Sequence, residues 1–259
     1  MRSEHLNVAL EAVKAAERII LYYLEHGAES QIKSDLSPVT IADREAEEAV
    51  KAIIAKHFPD HTFYGEEGEK VNLKNHQGYT WIIDPIDGTK SFMRKIPLFA
   101  TQLALLKDGE LILGVSNAPL LKECMYAEKG SGCYLNDARV QVGTAATFDS
   151  AYASFGGLKH FAKTNTLDGV MALSQKAQWP RGIGDFWSYH LLAQGKIDIM
   201  IEARTKLWDI AALKVIVEEA GGRFTQMDGQ PITFESTSAV ATNGLLHDAT
   251  LELFNVPPK

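Results

Sequence analysis

The sequence is short of cysteine, of basic charge and of long apolar runs, and each shortage closes off a class of protein. Two cysteines, Cys124 and Cys133, stand in 259 residues. Neither falls in a Cys-x-x-Cys or Cys/His cluster, which argues for reduced, semi-buried thiols rather than a disulfide framework or a zinc site. Lys and Arg number 26 against 33 Asp and Glu, a formal net charge of -7. With no basic stripe to offset it, that excess argues against nucleic acid or an anionic membrane as partner. Long uncharged runs such as 96–106 and 111–121 reach only eleven residues and carry Thr, Gln, Ser, Asn and Pro, far short of the roughly 20 apolar residues that span a bilayer. The start, Met-Arg-Ser-Glu-His-Leu-Asn, has neither an apolar core nor a small-residue cleavage site, so a cytoplasmic location is expected. No Pro- or Ser-rich linker, internal repeat or low-complexity segment divides the chain.

What is present is ordinary globular composition, 46% apolar and 23% charged. A chain this long buries about three quarters of its unfolded surface, so folding needs no staple. Leu6, Ala9, Val13, Ala16, Ile20 and Leu24 recur at helical spacing and predict a helix over 5–26 that stops at Gly27. Thr40 to Asp43 reads as a capping box opening a second helix, with Ala46, Val50, Ile53 and Ile54 as its stripe before Pro59. The period then shortens. Strands are expected at 61–64, 79–83, 99–106, 111–116, 123–127 and 132–135, in a mostly antiparallel sheet. Beyond residue 140 strand and helix alternate, with strands at 151–155, 196–201 and 238–242 and helices at 184–194 and 210–220. The expectation is layered α/β structure in two closely packed halves, an α+β half over 1–140 and an α/β half over 141–259.

Four acidic segments sit where regular elements end: Asp43, Gly65-Glu66-Glu67, Asp84-Pro85-Ile86-Asp87-Gly88-Thr89 and Trp208-Asp209. The apolar strand Trp81-Ile82-Ile83 runs straight into Asp84, and Asp87 follows three residues later. Pro85 fixes φ and Gly88 permits a tight path, so both carboxylates and the Ile86 carbonyl can converge on one cation. Hard oxygen donors of this kind suit Mg²⁺. Each segment also has a plain reading: Asp-Pro-x-Asp-Gly is turn chemistry, Glu66-Glu67 a solvated loop, Asp43 the partner of Thr40, Asp209 a first-turn helix acid. Four such segments in one chain point instead to a shared site. Gly88-Thr89-Lys90-Ser91 can open a helix whose unpaired N–H groups receive a phosphate, and metal-assisted phosphoryl transfer to water is the reaction this implies.

These motifs, with Trp208-Asp209-Ile210-Ala211-Ala212 followed by Glu219-Ala220-Gly221-Gly222, resemble the signatures of the inositol monophosphatase family of Mg²⁺-dependent, lithium-sensitive phosphatases. The resemblance runs from the Lys33-Ser34-Asp35 segment through Asn243-Gly244. It implies an α/β/α/β/α sandwich, a homodimer and two or three Mg²⁺ ions per site. It also implies that Glu66, Asp84 and the Ile86 carbonyl hold the first ion and that Asp84, Asp87 and Asp209 surround the second, with Glu66 serving a third. Thr89, bonded to Asp43, would orient and help deprotonate the attacking water, with Gly88 and Thr89 receiving the phosphate.

Within the family, Asp84 to Ala104 and Arg181 to Tyr189 resemble the histidinol-phosphate phosphatase branch. The expected substrate is L-histidinol phosphate; the alternative is inositol 1-phosphate or a broader range of small phosphate monoesters. Asp185 stands where inositol-specific members carry a small residue, and it could pair with an ammonium or imidazolium, with Glu202 as second acceptor. Its plain reading is a helix N-cap. Lys33 and Arg181 could steer phosphate, while His160, His190 and His247 read as structural or exposed, and Phe186, Trp187 and Tyr189 as core or dimer interface.

Overall fold

Five alternating layers of helix and sheet are stacked in the computed structural model, which describes residues 2–32, 38–67 and 77–254. Lys33 and its Ser-Asp neighbours lie outside the described residues. The first layer pairs α1 (Glu4–His26) with α2 (Ile41–His57), and the short antiparallel strands β1 (Ser30–Ile32) and β2 (Pro38–Thr40) lie between them in sequence. Most of each predicted stripe is buried, Leu6, Ala9, Val13, Ala16 and Ile20 on α1 and Ala46, Val50 and Ile54 on α2, while Leu24 and Ile53 are partly buried at its edge. Ser3 Oγ caps α1 by accepting from Leu6 N at 3.1 Å, and Gly27 ends it at φ +91°.

The second layer is a sheet ordered β3 (Thr62–Gly65), β4 (Tyr79–Asp87), β5 (Ala100–Lys107), β6 (Glu110–Ala118), β7 (Glu123–Glu128), β8 (Gly132–Leu135) and β9 (Ala138–Val140). All its pairs are antiparallel except β3 with β4. The one-turn helix α3 (Thr89–Met93) joins β4 to β5. Trp81 and Ile83 of β4, with Leu103 and Leu105 of β5, pack under α1 and α2.

The C-terminal sheet gathers β10 (Tyr152–Phe155), β11 (Trp179–Arg181), β12 (Ile199–Ala203), β13 (Arg223–Thr225) and β14 (Ser238–Thr242) in the order β11-β10-β12-β14-β13. On its outer face α4 (Leu158–Lys163), α5 (Leu167–Lys176) and α8 (His247–Glu252) bury Phe161, Val170, Leu173 and Leu251. Between the two sheets lie α6 (Asp185–Ala193) and α7 (Leu207–Glu219). Phe186, Tyr189, Leu213 and Ile216 of these helices join Met125 of one sheet to Met200 of the other. The fold is thus the layered α/β sandwich expected. Missed were α4, α5, α8, β1, β2, β9, β11 and β13, mostly three to six residues long and too short for a period to show. Among the described residues no helix is long and apolar enough to cross a membrane.

Candidate active site

Strand β4 runs past the end of β3, whose last pair is Gly65 with Ile83, into the acids. Ile83 pairs with Leu103 and Asp84 with Gln102, but the next register pair is Asp87 with Ala100, so the Asp84–Asp87 stretch bulges. Bulges of this kind re-aim side chains beside active sites. Thr101 Oγ1 clamps the bulge by donating to the Pro85 carbonyl at 2.9 Å, and Ile86 N donates to Asp84 Oδ1 at 3.1 Å. Gly88 turns the chain at φ +88°, where a Cβ would stand 2.6 Å from the Leu98 carbonyl oxygen, so no larger residue fits. The chain then enters α3, whose first intrahelical bonds run from Ser91 and Phe92 N to Gly88 O.

The other acids arrive from separate elements. Glu66 follows β3 and is held by its own N–H, which donates to Ile83 O at 3.1 Å, while Glu67 N donates to Glu47 Oε2 of α2 at 3.0 Å. The pair is therefore fixed and half-buried rather than a solvated loop. Asp209 lies in the first turn of α7 and accepts from Lys206 N at 2.7 Å. Asp43, fully buried, closes the predicted capping box: its Oδ2 accepts from Thr40 N at 2.7 Å and from Thr40 Oγ1 at 2.6 Å. Thr89 Oγ1 donates to Ile86 O at 3.0 Å and lies 3.4 Å from Asp43 Oδ1, a long contact that leaves the hydroxyl shared between the two.

A cavity of about 300 Å³ brings Glu66, Asp84, Asp87, Asp185, Glu202 and Asp209 together with Ile86, Gly88 and Thr89. Six carboxylates face two cations there, Lys90 and Arg204. Burial first, then repulsion from Glu66, Asp87 and Asp209, holds the Asp84 carboxyl well above the usual carboxylate range. Burial, then repulsion from Asp185 and Asp209, does the same to Asp87. Burial pushes Asp209 up to about 7 and Glu202 up to about 8. A larger hollow of about 530 Å³ beside α7 lacks such chemistry, because its charges pair off at the surface as Lys129 with Glu110 and Lys214 with Glu218.

The acids line the cavity without closing on a point: among the described residues no three His, Cys, Asp or Glu side chains form a group that could hold a metal ion as they stand. Like charges in a poorly solvated hollow repel, so drawing them together needs a cation's own charge. The donor set itself, carboxylates and the Ile86 carbonyl with no sulfur or imidazole among the expected ligands, fits a hard divalent ion.

The remaining expectations divide. Asp185 reaches the cavity, but as the first residue of α6 after Gly184, at φ +50° and with no side-chain cap on that helix, so it is not the N-cap. The residue is exposed to solvent, yet the atoms packed around its carboxyl desolvate it enough to raise it above the usual carboxylate range. Arg181 does not line the cavity; its guanidinium lies over Trp179, 4.8 Å from the ring centroid, and donates to Pro180 O at 2.8 Å. His190 and His247 are buried structural bridges, as read from the sequence. His160 corrects that reading in part, since it is exposed yet lines the cavity from α4. Gln102, whose Nε2 donates to Asp87 Oδ2 at 3.3 Å, was also missed. Its signal was a polar residue inside the apolar run of β5.

Comparison with known proteins adds a lineage to this geometry. The model of the inositol monophosphatase family matches residues 1–256. The histidinol-phosphatase of Mycobacterium tuberculosis is 40% identical over 229 residues, 86% of each chain. That of Streptomyces coelicolor is 35% identical over 234 residues, 87% of this chain and 86% of its own. The solved structure of Thermotoga maritima IMPase superposes with a TM-score of 0.88 at 30% identity, covering 98% of this chain and 97% of that one.

Proposed function

This chain belongs to the inositol monophosphatase family and is a phosphoric monoester hydrolase, and we propose that it hydrolyses L-histidinol phosphate with Mg²⁺ as cofactor. The observation that carries this reading is a second acidic pair, Asp185 and Glu202, in the same cavity as the DPIDGT acids. A carboxylate pair beyond the phosphate side suits a leaving group that carries an ammonium or imidazolium, which a polyol lacks. The two histidinol-phosphatases similar to this chain support the same choice. Inositol 1-phosphate is the second reading, supported by the likeness to the Thermotoga IMPase. A cytoplasmic homodimer acting on small phosphate monoesters is part of the proposal.

Glu66, Asp84, Asp87, Asp209 and the Ile86 carbonyl would hold two or three Mg²⁺ ions. When bound, these would lower the pKa of a water and neutralise phosphate charge. The chain's own groups do the rest. Thr89 Oγ, between Ile86 O and Asp43, orients the attacking water and relays its proton toward Asp43, whose other oxygen is fixed by Thr40. Gly88 and Thr89, at the start of α3, face the phosphate oxygens. Asp185 and Glu202 receive the leaving group.

The test is phosphate release from L-histidinol phosphate and inositol 1-phosphate, with and without EDTA. Chelation should abolish turnover; turnover that persists would reject the metal mechanism. Asp185→Ser should lower kcat/KM for histidinol phosphate about tenfold or more, and for inositol phosphate far less. Equal losses would remove Asp185 from substrate recognition.

Metal removal should also show in stability. A carboxyl with a raised folded pKa contributes stability that is complete below its unfolded value and lost as pH rises through the folded one. With Asp209 at about 7 and Glu202 at about 8, the EDTA-treated protein should melt lower at about pH 9 than at about pH 6. Buried neutral histidines such as His247, which burial lowers from 6.5 to about 4, lose stability as pH falls below about 6.5, so they oppose the carboxyl effect at the acid end of this range and leave its alkaline side untouched. Mg²⁺ should reverse the alkaline loss. A melting temperature that is flat or rises over this range would contradict the electrostatic account.

A further inference from the structure

Three consecutive residues of α6, Ser188, Tyr189 and His190, are polar and fully buried, and each reaches a different strand. Ser188 Oγ donates to Gly184 O at 2.9 Å and meets Ser154 Oγ of β10 at 2.8 Å. His190 meets Ser116 Oγ of β6 at 2.7 Å through Nε2 and Glu123 of β7 at 2.9 Å through Nδ1. These two fix the helix against both sheets. Tyr189, between them, reaches β12: its hydroxyl donates to Glu202 Oε2 at 3.0 Å. Its ring is stacked on Phe224 of β13, centroids 5.6 Å apart and planes 19° from parallel. Of the three bridges, this is the one that ends on a residue lining the cavity.

Glu202 is confined from the other side as well. A Cβ on Gly156 would stand 3.1 Å from Glu202 Cγ and 3.2 Å from its Oε1, so the bare glycine leaves the room the carboxylate occupies. A glutamate has three side-chain torsions, and a carboxylate free to swing loses directional preference for a cation. Here one oxygen is committed to a rigid phenol and the stem is packed against backbone. Asp185, at the head of the same helix, shares that frame.

We propose that Tyr189 is a positioning residue that fixes Glu202 for a cationic leaving group and thereby sets selectivity between charged and neutral phosphate esters. The inference rests on the reading of Asp185 and Glu202 as the leaving-group side of the cavity. Tyr189→Phe removes one oxygen and keeps the ring in its stack, so it tests the hydrogen bond alone.

The experiment compares kcat and KM for L-histidinol phosphate and inositol 1-phosphate in the Mg²⁺-loaded wild type, Tyr189→Phe, Glu202→Gln and the double variant. A wild type that does not prefer the cationic ester overturns the substrate reading, whatever Tyr189 does. Given that preference, Tyr189→Phe should lower the ratio of the two kcat/KM values about tenfold, chiefly through KM for histidinol phosphate. In the Glu202→Gln background it should cost little more, because the two residues act as one unit. A ratio unchanged within about twofold, an equal loss on both esters, or additive losses in the double variant would overturn the inference. Gly156→Ala crowds Glu202 without touching the Tyr189 core and should lower the same ratio. It decides the matter if Tyr189→Phe folds poorly, and an unchanged ratio there also overturns the proposal.

Discussion

Asp84→Asn should abolish turnover by at least two orders of magnitude, the scale of removing one preorganised electrostatic element from a reacting centre, while making the metal-free protein more stable. The two effects have one cause. Asp84 is 2% exposed and is held well above the usual carboxylate range by burial, then by Glu66, Asp87, Asp209 and Asp43. Ionised and without a cation, it is a liability to the fold. The amide keeps the acceptor that Ile86 N uses at 3.1 Å, so the bulge of β4 should survive. In EDTA near neutral pH the variant should therefore melt above wild type, yet gain less on addition of Mg²⁺. Asp209→Asn should behave alike, because its Lys206 N–H contact at 2.7 Å also needs only an acceptor. Near-normal rates in both variants, or a metal-free Asp84→Asn protein less stable than wild type, would remove the carboxylates from the mechanism.

The same residues show why much of the candidate site was legible in the sequence. An apolar strand ending in Asp-Pro-Ile-Asp-Gly-Thr forces its acids to a buried strand end, whatever the rest of the fold. The capping box that binds Asp43 is local, confined to Thr40 through Asp43, and so was visible as well. Arg181 shows the limit. It lies four residues before Asp185 in sequence, but Trp179 sits two positions back and offers its ring face, which holds the guanidinium away from the cavity. His160 errs in the other direction, since it reaches the cavity on a six-residue helix with no recognisable period. Nor does spacing show how far like charges hold one another apart. The acids converge on one hollow, but nothing in the order of residues announces that they stop short of a ready cage.

Gly114→Ala should destabilise the protein by about 3 kcal/mol, the upper range for overpacking a core, and should take activity with it although residue 114 lies outside the cavity. Gly114 sits in the middle of β6, where α7 crosses the sheet. An added methyl would stand 2.3 Å from the Ala212 carbonyl oxygen and 2.9 Å from its Cα. Both are backbone atoms of a helix, which cannot rotate aside as a side chain could. The strain must move α7 as a body. That helix carries Asp209 in its first turn and packs Leu213 and Ile216 into the layer between the sheets. A shift of even half an ångström exceeds what a catalytic arrangement tolerates without loss. The variant should thus melt several degrees lower, by about 2–4 °C per kcal/mol for a chain of this size, and need more Mg²⁺ for half-maximal rate. Gly109→Ala, where nothing stands within 4 Å of the added carbon, isolates the cost of φ +87° from the cost of contact. If Gly114→Ala melts no lower than Gly109→Ala, the close approach of β6 and α7 is not what positions Asp209.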